Sequence, residues 1–188
     1  MDERLQQVRD FAAKAHGVQK RKYGNDLYIV HPERVMKTCS TYSSEVIMLS
    51  AALLHDVLED TDTSAEMMLQ FLSGIFSDDT ATAILALVQE LTDIYTADAW
   101  PQWSRKVRKT KELERLKKIS AMAQTIKYAD ILDNSSEIVA NDPEFAGRLL
   151  SEYKNVLDGL DKGNPVLRER ARMQVLQALD SVLQSHGK

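Results

Sequence analysis

The sequence predicts an all-α fold, one compact domain of eight or nine helices, and three observations carry that prediction. Apolar residues recur three and four apart almost throughout the chain. No segment alternates apolar and polar residues as a half-buried strand would. Several helix starts are marked by a capping side chain just before an apolar run. The 188 residues, 44% of them hydrophobic, suffice for one core, and with 7 Gly, 4 Pro and no low-complexity run nothing reads as an interdomain linker. The expected domain is therefore residues 1–188.

Taken in order, Leu5, Val8, Phe11, Ala12 and Ala15 give the apolar stripe of a first helix. In Tyr28-Ile29-Val30-His31-Pro32 the proline biases His31 toward an extended backbone, with a helix starting just after it. Glu45 to Asp60 reads EVIMLSAALLHDVLED, one continuous helix that is apolar through Leu54. Thr63-Ser64-Ala65-Glu66 reads as a capping box. Residues 93–104 lose the helical period. Tyr95 to Trp103 holds an alanine-aspartate pair, a proline and both tryptophans, which suits a loop over a site or a plain connection. Arg105, Lys106, Arg108, Lys109, Lys111, Arg115, Lys117 and Lys118, interleaved with Glu112 and Glu114, read as a solvated helix face. Asp142-Pro143 and Asn164-Pro165 each place a cap before a first-turn proline. The second opens a C-terminal helical extension, 164–186, carrying Val175, Leu176, Leu179, Val182 and Leu183, expected to pack on its own core rather than on a second subunit.

Composition narrows the function. A net charge of −4 argues against a general nucleic-acid binder, which needs a basic excess against phosphates, so an anionic ligand must be met by local cations such as Lys20-Arg21-Lys22. No apolar run approaches a membrane span, and Met1-Asp2-Glu3-Arg4 lacks the order of a signal peptide, so a cytoplasmic protein with no membrane partner is expected. Cys39, the single cysteine, reads as a small buried side chain.

The informative event is the switch after Leu54, where an apolar helix offers His55, Asp56, Glu59 and Asp60 within two turns. At helical spacing His55 sits over Glu59 and Asp56 over Asp60. Carboxylates carried inward by an apolar helix need a counter-charge, and a mixed nitrogen and oxygen donor set suits a divalent first-row metal. Candidates to complete it are His31 and Asp130, with Asn134 one turn beyond Asp130 on the same face. A histidine beside an aspartate also arises as an ordinary acidic helix end; that reading leaves Asp130 and Asn134 unexplained.

At these residues the sequence resembles the HD superfamily, and more closely the hydrolase domain of the RelA/SpoT homologues, in particular the stand-alone small alarmone hydrolases. The resemblance covers roughly residues 8–160, through Ala12-Ala13-Lys14-Ala15-His16 with Gln19-Lys20-Arg21-Lys22, Tyr28 to Pro32, Ala51 to Thr61, and Ile126 to Asn134. It implies an HD domain in which His31, His55, Asp56 and Asp130 bind a divalent metal, usually manganese. It implies that Glu59 and Asp60 orient or deprotonate water, and that Arg21, Lys22, Asn134 and Tyr153 contact a small-molecule nucleotide. The implied reaction is hydrolysis of guanosine 3′,5′-bis(diphosphate) at the ribose 3′ position, releasing pyrophosphate, by a monomer or homodimer. Two departures from the family pattern bear on substrate: Asp133 stands where histidine is usual, and Gly24-Asn25-Asp26-Leu27 replaces a shorter proline-containing turn. The alternatives are the same centre acting on an adenosine alarmone analogue, a pyrophosphorylated RNA end, NADPH or a nucleoside monophosphate, or a non-catalytic nucleotide-binding protein.

Overall fold

The structure, a computed structural model, describes residues 2–22 and 26–186. Gly24 and Asn25 of the altered turn lie outside the described residues. Among those described there is no β-strand, and ten helical segments run α1 Glu3–His16, α2 Val30–Ser40, α3 Val46–Leu54, α4 Val57–Asp60, α5 Ala65–Ser73, α6 Asp78–Leu91, α7 Arg105–Leu116, α8 Ala121–Asn141, α9 Pro143–Gly159 and α10 Pro165–His186. The all-α expectation holds. No helix among the described residues is long and apolar enough to cross a membrane.

The chain divides into two compact units, Met1–Thr92 and Asp93–Lys188. In the first, α3 is the central element and packs against α1, α2 and α6. It is enclosed on all sides: Met48 through Leu54 are all buried. An all-round apolar helix is stable only in such a place. In the second unit α8, α9 and α10 pack on one another, and α7 packs on α9. The α10 stripe of Leu167, Ala171, Val175, Ala178 and Val182 is buried, whereas Leu183 is 71% exposed and so lies outside that core. At the turn before α10 a Cβ on Gly163 would come within 2.5 Å of Tyr128 Cε2 and 2.8 Å of the Thr125 backbone nitrogen. Only glycine lets the chain pass so close to α8.

Side-chain caps set most helix starts. Asp142 accepts from the Phe145 N–H, and Asn164 accepts from Val166 and Leu167, with Pro143 and Pro165 at first-turn positions as expected. The Thr63 box is displaced by one residue: the cap is Ser64, whose hydroxyl accepts from the Met67 N–H. Three expectations need correction. His31 is not extended before α2 but lies inside its first turn, since Pro32 there has no intrahelical N–H bond to forfeit and a tight turn, His31 N–H to Tyr28 C=O at 2.9 Å, already leads in. Glu45–Asp60 is not one helix: it breaks at His55-Asp56 and resumes as the single turn α4. Glu112, read as part of a solvated face, is 3% exposed.

Candidate metal centre

The break between α3 and α4 is what builds the site. Where the helix stops, the Ala52 carbonyl is taken by the His55 ring, Nδ1 at 2.9 Å. A carbonyl only accepts, so Nδ1 carries a proton, and Nε2 is the nitrogen left to face Asp56. Asp56 then opens the next turn, its carbonyl accepting from the Asp60 N–H at 2.9 Å. His31 arrives from the first turn of α2. One oxygen, Asp56 Oδ2, lies 3.1 Å from His55 Nε2 and 3.5 Å from His31 Nε2. The two imidazoles meet edge to face, with ring centroids 5.1 Å apart.

His31 and His55 are buried and Asp56 is partly so, and one donor atom from each falls within 4.8 Å of the others. Two imidazole nitrogens and a carboxylate oxygen converging in an enclosed place fit a divalent cation, and the Ala52 contact is the kind of outer support that orients a metal-binding imidazole.

Two residues not singled out from the sequence complete the surroundings. The Tyr28 hydroxyl donates to Asp56 Oδ2 at 2.7 Å. Burial and then the Asp56 and Asp60 charges push the Tyr28 phenol well above its usual range, so it stays a donor. His16, at the end of α1, stacks on the Tyr28 ring with centroids 4.5 Å apart. Both residues stand in stretches that match the family, but neither has a periodic position that reveals a contact with Asp56.

The other expected residues fall as follows. Glu59 and Asp60 are exposed on α4. Although the outer side of Asp60 meets solvent, partial burial on its protein side and then the Asp56 charge raise its carboxyl above the usual range. Arg21 and Lys22 sit near the tip of a small hairpin closed by Tyr28 N–H to Gln19 C=O at 2.8 Å and Arg21 N–H to Asp26 C=O at 3.1 Å. Asp130, Asn134 and Tyr153 belong to the second unit. There Asp130 is buried on α8, held by the Lys127 ammonium at 2.9 Å and the Asn134 amide at 2.6 Å. Asn134 is thus beside Asp130 as the i, i+4 spacing implied, and Tyr153 lies on α9.

Near the start of the second unit, the 93–104 segment is a loop whose Tyr95, Trp100 and Trp103 rings cluster, the two tryptophans stacking at 4.4 Å. Its backbone is held by Glu112, whose Oε2 accepts from both Ile94 and Tyr95 N–H groups at 3.2 Å, while Arg115 binds the other carboxylate oxygen at 2.6 Å.

A family model described as HD domain matches residues 9–156. Guanosine-3′,5′-bis(diphosphate) 3′-pyrophosphohydrolase MESH1 of Homo sapiens is 32% identical over 174 residues, covering 88% of this chain and 89% of that protein. The protein of the same name from Drosophila melanogaster is 31% identical over 137 residues, 71% of this chain and 68% of its own. Among solved structures, one described as a metazoan ortholog of SpoT that hydrolyses ppGpp and plays a role in starvation responses superposes with a TM-score of 0.74 at 27% identity, covering all of this chain and 97% of the other.

Proposed function

The chain belongs to the HD-domain family, and from that premise we propose that it is a metal-dependent phosphohydrolase that removes the 3′-diphosphate of guanosine 3′,5′-bis(diphosphate) as pyrophosphate. The observation that carries the reading is the convergence of His31, His55 and Asp56 at the break between α3 and α4. Relatives named for this reaction match most of the chain, and both they and the solved neighbour support the substrate.

His31, His55 and Asp56 would hold the ion, with Asp130 assigned as a further ligand on the strength of the family match. We take the ion to be Mn2+, the metal that the family resemblance implies; the mixed imidazole and carboxylate set by itself suits a divalent first-row cation. When bound, it supplies a water of lowered pKa and positive charge beside the phosphoryl oxygens. Asp60 accepts the proton of the attacking water, a task open to a carboxylate placed close to it. Glu59 orients the water. The new bond joins the water oxygen to the phosphorus attached at the ribose 3′ oxygen, the P–O3′ bond breaks, and the 3′ oxygen leaves with a proton as the nucleoside hydroxyl. Arg21 offers a planar fork to phosphate or base and Lys22 a point charge, while Asn134 and Tyr153 are assigned to sugar and phosphate contacts. The protein acts on a soluble nucleotide of the cytoplasm.

Metal-free protein, reloaded with Mn2+ and given guanosine tetraphosphate, its adenosine analogue, NADPH and simple nucleotides, should release pyrophosphate from the first, as read by chromatography. Phosphate released only from the others would sink the substrate assignment. Asp130→Ala should lose both metal and turnover; if it keeps both, Asp130 is not a ligand.

A further inference from the structure

Tyr28 stands at the foot of the hairpin that carries Arg21 and Lys22, one turn before His31, and its position is fixed from three directions. Its N–H bonds the Gln19 carbonyl and its carbonyl accepts from the His31 N–H, so the backbone is tied to both flanking segments. One ring face stacks on His16 at 4.5 Å with planes 29° apart, and the ring meets His31 edge to face at 5.9 Å. The His16 ring is 5% exposed; its Nδ1 pairs with Gln19 Oε1 at 2.9 Å, and its Nε2 has no hydrogen-bond partner among the described residues. Since that nitrogen makes no bond, what His16 gives Tyr28 is a flat face to rest on.

The hydroxyl so held donates to Asp56 Oδ2, the same oxygen that faces both imidazole nitrogens. A carboxylate oxygen has two lone-pair directions, and a carboxylate turns freely about its last bond unless pinned. With Tyr28 occupying one direction, the other is presented to the histidines.

We propose that Tyr28, backed by the His16 ring, is a positioning residue that pins Asp56 in its metal-binding orientation. The kinetic part of this inference rests on the phosphohydrolase reading; the metal-binding part does not. Outer groups that orient a ligand are typically worth about 10–100-fold in metal affinity or activity.

The test is Tyr28→Phe in the full chain, which keeps the ring and the stack and removes one oxygen. Mn2+ binding followed by electron paramagnetic resonance of the free ion should show a dissociation constant raised about tenfold. kcat on guanosine tetraphosphate should fall about tenfold or more, with KM within about twofold and Tm little changed. Mn2+ affinity within about twofold of the parent overturns the proposal, whatever kcat or Tm does. His16→Leu, which removes the backing ring and leaves the hydroxyl, is the second variant: a loss of Mn2+ affinity in the same direction is expected, and unchanged affinity overturns the role given to His16. If the parent protein binds Mn2+ but leaves the tetraphosphate intact, the functional reading fails while the binding arm still decides the role of Tyr28.

Discussion

Asp60 in the first unit and Asp93 in the second are both partly enclosed aspartates, and their carboxyls are shifted in opposite directions. For Asp60, burial comes first and the Asp56 charge adds to it, so the carboxylate form is disfavoured. For Asp93, burial acts the same way, but the Lys127 and Lys109 charges outweigh it and hold the carboxyl below its usual range, with Lys109 Nζ 2.8 Å away. The contrast extends to their neighbours. Asp56 is met by two imidazole nitrogens and a phenol, whereas Glu112 is met by Arg115. A carboxylate matched by a fixed ammonium or guanidinium is settled by folding itself. One faced by imidazole nitrogens belongs to a donor set that a divalent cation can complete.

The largest effect expected from this difference is in the first unit. His55→Ala removes one of the three converging donors, and turnover of guanosine tetraphosphate should fall on the order of 10³-fold or more, the loss of roughly 4 kcal/mol of transition-state stabilisation. The metal-free far-UV spectrum should be unchanged, and the rise in Tm that Mn2+ gives the parent protein should disappear. Turnover within tenfold of the parent would remove the first unit's centre from the chemistry.

Glu112, in the second unit, should respond in stability instead. Glu112→Ala strips two backbone N–H groups of their acceptor and leaves Arg115 without the carboxylate it binds at 2.6 Å. Breaking a buried pair from one side costs about 3–5 kcal/mol, readable as a lowered urea midpoint, with Mn2+ affinity unchanged. A variant of parental stability would mean that the loop is held by its aromatic cluster alone.

Glu112 also shows what could be read from the sequence. Caps such as Asp142 and Asn164 are local, because the side chain bonds an N–H two or three residues on, and the sequence alone suffices to place them. The convergence of His31, His55 and Asp56 was reachable from an apolar helix that turns abruptly polar. The break at His55-Asp56 was not: the apolar pattern runs to Leu54 and restarts at Val57, and periodicity does not distinguish an unbroken helix from one interrupted for two residues. Glu112 among cations looked solvated because its partners, two backbone N–H groups 17 and 18 residues upstream, have no side-chain signature. Tyr28 was hidden for the same reason, since its contact with Asp56 spans 28 residues and exists only once the hairpin has closed.

The smallest effect tests the sign of the Asp93 shift. A carboxyl whose folded-state pKa is depressed contributes stability that is fully present above the unfolded value, ~3.9, and is lost as pH falls through the lowered folded value. Asp93→Asn keeps the shape and removes the charge. Stability at neutral pH should drop by about 1.5–3 kcal/mol, the range for a hydrogen bond to a charged partner. The acid-side decline of the urea midpoint should become shallower than in the parent. Because Asp60 is shifted upward, it cannot supply that part of the acid slope, so a slope left unchanged by Asp93→Asn would mean that Lys109 and Lys127 do not hold Asp93 ionised. Asp93 would then resemble Asp60, its charged form disfavoured by burial and not restored by a cationic neighbour.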